Sequence, residues 1–129
     1  MSEPTDYTAA FLEKAHEALD TARLNSDNDH QSAAVNRAYY AAFYAACAAL
    51  YRFGEAPRSH KGVRTRFYEL YVRSGRIDQP TAAILSVAEE ARRSADYDAF
   101  SVFDRAAALD LVADVERFVT AVEDLVQAE

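Results

Sequence analysis

Three short stretches hold the side chains that could do chemistry. Asn36 and Arg37 stand near the start of the run AAVNRAYYAAFYAACAALY, residues 33–51, which otherwise has almost no polar side. A buried guanidinium demands a partner. Arg37 therefore marks either a structural ion pair with a carboxylate on a neighbouring helix or a site. Arg37, Tyr40, Tyr44, Cys47 and Tyr51 recur three or four apart and share one helical face. Each Tyr hydroxyl on that face needs a hydrogen-bond partner when buried. A second stripe, Tyr39, Phe43, Ala46 and Leu50, reads as core packing. The next stretch is Arg92, Arg93, Asp96 and Tyr97. Arg92 and Asp96 are four apart and can pair along a helix, or Asp96 can reach across to Arg37. The cluster is then a helix-ending polar network, or an Arg/Tyr site for a phosphodiester or nucleotide. Third comes Arg58-Ser59-His60-Lys61-Gly62, which opens a helix; free backbone amides beside basic side chains suit an anion there.

Other chemistries lack their residues. His16 sits among charged neighbours and His30 at a helix start, neither with a second ligand at convincing spacing, so no metal site is expected. Three glycines, Gly54, Gly62 and Gly75, make no phosphate-cradling loop. No cofactor is expected. Cys47 reads as an inert core thiol, since apolar surroundings raise a thiol pKa.

The elements that must position these groups are helices. Half of the 129 residues are hydrophobic, and with only 3 Gly and 3 Pro the chain has few helix breakers. One all-α domain over residues 1–129 is expected. Thr5 or Asp6 can cap a first helix to about Leu24, with Phe11, Leu12, Ala15, Ala18, Leu19 and Ala22 inward. A second helix runs from about His30 to Phe53, with Gly54 as terminator. Ser59 caps a third, about His60 to Arg73. Asp78 or Gln79 caps a fourth, with Pro80 in its first turn. Asp104 caps a fifth that reaches Val126, with Leu109, Val112, Val115, Phe118, Val119, Val122 and Leu125 apolar. The architecture predicted is an antiparallel up-and-down bundle of four main helices plus a short additional one, with the Ala-rich second helix at its centre. Small residues on that helix also suit a homodimer face.

The run from Ala38 to Tyr51 has 14 residues, short of the roughly 20 that a membrane span needs. The N-terminus is acidic and shows no signal peptide, so a cytoplasmic protein without membrane contact is expected. Net charge is −7, but its distribution is uneven. Arg52 to Arg76 holds seven basic residues and two acids, a net +5 against −12 for the remainder. That segment is either a solvated face balancing acidic neighbours or a patch for phosphates or an acidic partner.

Taken in order, Asn36-Arg37-Ala38-Tyr39-Tyr40-Ala41-Ala42-Phe43-Tyr44, then Ser59-His60-Lys61-Gly62-Val63, then Arg92-x-x-Ala95-Asp96-Tyr97 resemble the HEPN superfamily, and within it the UPF0332 group. The resemblance spans about Tyr7 to Val126. It implies a helical bundle that commonly forms a homodimer. It also implies a common pairing with a minimal nucleotidyltransferase as toxin and antitoxin. Active members of the superfamily are metal-independent RNases. Their signature is an Arg followed shortly by a His, near a cleft at the dimer interface. Arg92 matches that Arg, and five residues later Tyr97 stands where the His is expected. A histidine exchanges protons near neutral pH, whereas tyrosine has an ordinary pKa of about 10. Cleavage by 2′-OH attack needs a base and an acid, so His60 is the candidate for the missing role. The resemblance thus implies a toxin or toxin-like RNase, with Arg92 and Arg37 holding phosphate and Tyr97 or His60 assisting. The alternative is a non-catalytic module binding nucleotide, RNA or a nucleotidyltransferase through the same cleft. Tyr40, Lys61, Arg93 and Asp96 are the further candidate binding residues. A third reading is a dimeric helical protein whose polar cluster only fixes helix register.

Overall fold

The computed structural model describes residues 4–100 and 102–128. Its elements are α1 (Pro4–Asp27), α2 (Gln31–Arg52), α3 (His60–Phe67) running into a π-helical turn (Tyr68–Val72), α4 (Gln79–Tyr97) and α5 (Arg105–Ala128). No strand occurs among the described residues.

Side-chain pairs between helices fix their directions. The start of α1 meets the end of α2, where Thr8 donates to the Ala48 carbonyl at 3.0 Å and Tyr7 stacks on Tyr51. His16 pairs with Glu123 and Asp27 with Arg105, so α1 also runs opposite to α5. Asn36 meets Asp96 across α2 and α4, while Arg52 meets the Val126 carbonyl across α2 and α5. Thus α1 and α4 point one way and α2 and α5 the other, the up-and-down bundle that the periodicity predicts.

Helix α2 touches α1, α3, α4 and α5. Twelve of its residues are buried, and Ala41, Ala42, Ala45, Ala46, Ala48 and Ala49 are fully so. With methyl groups on every side, neighbouring helices approach its backbone closely and bury more apolar area per residue. Cys47 lies among them, and burial pushes its thiol up to about 12.

The helix ends follow local chemistry. Ser59 accepts from the Gly62 amide at 2.9 Å, Asp78 from Thr81 at 3.0 Å and Asp104 from Ala107 at 2.7 Å. These caps satisfy amides that have no partner within the helix. Gly54 at φ +77° closes α2: its amide reaches Tyr51 and the Glu55 amide reaches Leu50, the paired bonds of a glycine-terminated helix.

Three expectations change. α1 already begins at Pro4, so Thr5 and Asp6 lie within its first turn rather than at its cap, and the Thr5 side chain is outside the described part. The third helix does not stay α-helical to Arg73. After Phe67 it widens into the π turn, and the Arg73 amide bonds the Tyr68 carbonyl five residues back. In that wider turn Tyr71 enters the core, stacks on Phe67 and donates to the Ala49 carbonyl at 2.7 Å. On α5, Leu109 is 40% exposed, and Ala108 and Leu111 supply the inward positions instead.

Candidate functional site

At one end of the bundle the first turns of α2, the start of α3 and the last turns of α4 converge. Asn36 lies between two charges. Its Nδ2 donates to Asp96 Oδ2 at 3.1 Å, and its Oδ1 accepts from both Nε and Nη2 of Arg37 at 3.2 Å. Arg37 therefore does not reach Asp96; the amide relays between them. The Arg37 guanidinium lies over the Tyr40 ring, 4.8 Å from its centroid, a cation–π contact that covers its flat face.

Arg92 approaches Asp96 from α4 itself, Nη1 to Oδ2 at 3.4 Å. Its side chain is only 14% exposed and lies over the Tyr39 ring at 5.0 Å. Burial works against its charge, but the neighbouring Tyr97, Tyr40, Tyr39 and Asp96 side chains outweigh that and raise its pKa. Its Nε is buried and makes no hydrogen bond among the described residues. Tyr97, the last residue of α4, is 78% exposed.

His60 enters from the first turn of α3. Its Nδ1 meets the Tyr39 hydroxyl, its ring stacks on Phe43 at 4.2 Å, and Tyr40 stands edge-on at 5.9 Å. Burial first, and then the Arg92 charge, hold its pKa below the ordinary histidine value. Tyr39 thus touches both His60 and Arg92, two residues that the sequence supplies from different helices. Spacing places Tyr39 in a core stripe, and it is fully buried; its hydroxyl is the signal that it could do more than pack.

Other candidates fall beside this centre. Lys61 is exposed next to His60. Arg93 turns instead to Glu89 at 3.0 Å, and Glu89, with a side chain only 8% exposed, also pairs with Arg64 of α3. The basic segment is largely compensated. Arg66 pairs with Glu55 and Glu69, and Arg76 lies over the Phe53 ring. Arg58, Lys61 and Arg73 remain on the surface without an ion pair among the described residues. A groove of about 470 Å³ between α3, the π turn and α4 is mostly apolar, and none of Arg37, His60, Arg92 or Tyr97 lines it. No group of three or more His, Cys, Asp or Glu comes together at metal-binding distance among the described residues. No described helix is long and apolar enough to cross a membrane.

Chemically, the cluster gathers cationic and aromatic side chains at one end of the bundle. Arg92 pairs with Asp96, which Arg37 meets only through Asn36, and beside them Glu89 pairs with Arg64 and Arg93. Each group therefore carries one more positive charge than negative on a chain of net −7. Comparison with known proteins points the same way as the motifs. A UPF0332 protein of Thermotoga maritima is 30% identical over 98% of this chain and 96% of its own length. Two proteins of Methanocaldococcus jannaschii, named "Putative toxin MJ0142" and "Putative toxin MJ0605", are 30% and 35% identical. Those matches cover 69% and 68% of this chain, and 60% and 66% of the relatives. The HEPN domain description matches residues 8–125, a span that contains every residue of this cluster. This chain belongs to the HEPN domain family.

Proposed function

We propose that this chain is the toxin-like member of a toxin–antitoxin pair and acts on RNA at the Arg92 cleft, as a metal-independent endoribonuclease. The observation that carries the reading is the excess positive charge held at one end of an acidic protein, on Arg92 and Arg37 that packing has already oriented. A phosphodiester gains a negative charge as a 2′-oxygen attacks phosphorus. Fixed guanidinium groups in a partly buried site stabilise that charge without reorganising. Tyr97 stands at the mouth, able to orient the phosphate or donate a proton, and His60 lies at the inner wall. The names of the two archaeal relatives support the toxin assignment. The partner that fits is a minimal nucleotidyltransferase serving as antitoxin. A homodimer is part of the reading, because exposed apolar residues, Phe100 and Val102, follow the helix that carries Arg92.

A second reading is a non-catalytic module that binds RNA or nucleotide. It is favoured by Tyr97, since a phenol is a poor base at neutral pH. One experiment separates the two. Purified protein is incubated with end-labelled single-stranded RNA in the presence of EDTA, beside Arg92→Ala and Tyr97→Phe. Cleavage that leaves 2′,3′-cyclic phosphate ends and falls by about 10²-fold or more in Arg92→Ala is expected. Binding without cleavage would move the assignment to the second reading. If the wild type neither binds nor cleaves, both fail.

A further inference from the structure

The contact between Tyr39 and His60 decides which nitrogen of the histidine carries the proton. Tyr39 is fully buried, and among the described residues its hydroxyl meets one polar atom, His60 Nδ1. Burial, and then the nearby Glu89 charge, push the phenol up to about 12, so it keeps its proton at neutral pH. A buried O–H places that proton on an acceptor. The one available is Nδ1, so Tyr39 donates and Nδ1 keeps its lone pair. Neutral imidazole has a single N–H. It is then on Nε2, on the other side of the ring from Tyr39.

The ring cannot easily turn to escape this arrangement. Phe43 stacks on it with an interplanar angle of 12°, Tyr40 stands against it at 85°, and its backbone is held by the Ser59 cap. Nε2 itself has no hydrogen-bond partner among the described residues. The charged groups that act on the ring are Arg92, Glu89 and Arg64, and with burial their balance favours neutral imidazole.

We infer that His60 is a fixed hydrogen-bond donor, its Nε2–H held for a phosphate oxygen of the bound nucleotide, and that Tyr39 is the positioning residue that keeps it so. This deepens the phosphodiester reading above and rests on it. A general base would need the opposite tautomer, with its lone pair on Nε2 and its proton on Nδ1. Tyr39 would then have no acceptor for its own proton. His60 therefore works beside Arg92 by stabilising phosphate charge, and in the cleavage reading the 2′-hydroxyl proton leaves to solvent water rather than to its imidazole.

The test is long-range ¹H–¹⁵N NMR on the full chain, with His60 identified by the signal lost in His60→Gln. At pH 7.5 the expected pattern is protonated Nε2 and bare Nδ1, becoming a tautomer mixture in Tyr39→Phe. A bare Nε2, or a tautomer that ignores Tyr39→Phe, overturns the inference. Binding supplies the second arm, using a short 2′-O-methyl oligouridylate that cannot be cleaved. Affinity is expected to fall about tenfold in His60→Ala and to be largely recovered in His60→Gln, whose amide donates from a similar position. Equal loss in both variants, with folding intact by circular dichroism, also overturns it. Failure of the wild type to bind, with the Nε2–H tautomer in place, overturns the phosphodiester reading and leaves the Tyr39 lock standing.

Discussion

Arg37 is held by an amide where a carboxylate is the simpler expectation. The sequence marks it as an anomaly and offers Asp96 as its partner, but the residue between them, Asn36, is its neighbour in the chain. Adjacent residues on a helix point about 100° apart, so spacing alone does not suggest that they cooperate. Tyr39 is hidden for a different reason. A hydroxyl within an apolar stripe looks like packing until its partner from another helix is known. His60 carries a consequence at the same scale. Its folded pKa lies below the ordinary 6.5, chiefly through burial and then Arg92, so the folded state resists protonation. Between the folded and unfolded values the unfolded chain binds more protons, and stability rises with pH. The contribution is fully present above about pH 6.5 and is lost as pH falls towards the folded value. Urea titrations from pH 7.5 to 5 should show this slope, and His60→Gln should flatten it. An identical slope in the variant would show that His60 is not its source.

Among the elements, caps and stops are the most legible features. Ser59, Asp78, Asp104 and Gly54 each stand where side-chain chemistry places them, because capping is local and depends on three or four neighbouring residues. The π turn after Phe67 is not legible in this way. It depends on Tyr71 meeting the Ala49 carbonyl on another helix, and nothing in Tyr68–Val72 announces it. The Ser59 cap has a further constraint, since a Cβ on Gly62 would stand 2.9 Å from Ser59 Oγ. Ser59→Ala is expected to cost about 1 kcal/mol through the lost cap. Gly62→Ala should destabilise too, although alanine is by about 1 kcal/mol the better helix former. Chemical denaturation of both variants measures this. A Gly62→Ala protein more stable than wild type would mean that Ser59 moves aside without cost.

Tertiary ion pairs join these elements into one molecule. Glu89 is buried between Arg64 of α3 and Arg93 of α4, and its carboxylate ties the middle of α3 to the helix that carries Arg92. Glu89→Ala leaves Arg64, whose side chain is 24% exposed, without its counter-charge. Removing one member of a buried pair typically costs about 3–5 kcal/mol. Glu89→Leu of similar bulk is expected to lose about as much, because the uncompensated guanidinium remains. Restoring neutrality in the double variant Arg64→Met, Glu89→Leu should recover part of that loss, a coupling read directly from a double-mutant cycle. Additive losses in the cycle would show that the pair contributes nothing beyond its packing.

The surface at the end of α4 is the part of the molecule least accounted for by the bundle itself. Phe100 is 94% exposed and Val102 is 88% exposed, in the segment that follows Tyr97 at the end of α4. Isolated apolar side chains on a surface are ordinary, but three exposed within six residues, Tyr97, Phe100 and Val102, suit an interaction face. The proposed homodimer would cover them and bring two clefts close together, which suits a substrate longer than one nucleotide. Phe100→Asp tests this with little risk to the fold, since its ring makes no aromatic contact among the described residues. Wild type is expected to sediment as a dimer at about 50 μM, and Phe100→Asp as a monomer with an unchanged unfolding midpoint in the concentration-independent range. A buried charge opposite its symmetry mate disfavours association from both sides at once, because a two-fold interface repeats every substitution. A wild type that stays monomeric at that concentration would remove the dimer from the proposal, and the cleft would then have to work as a single site.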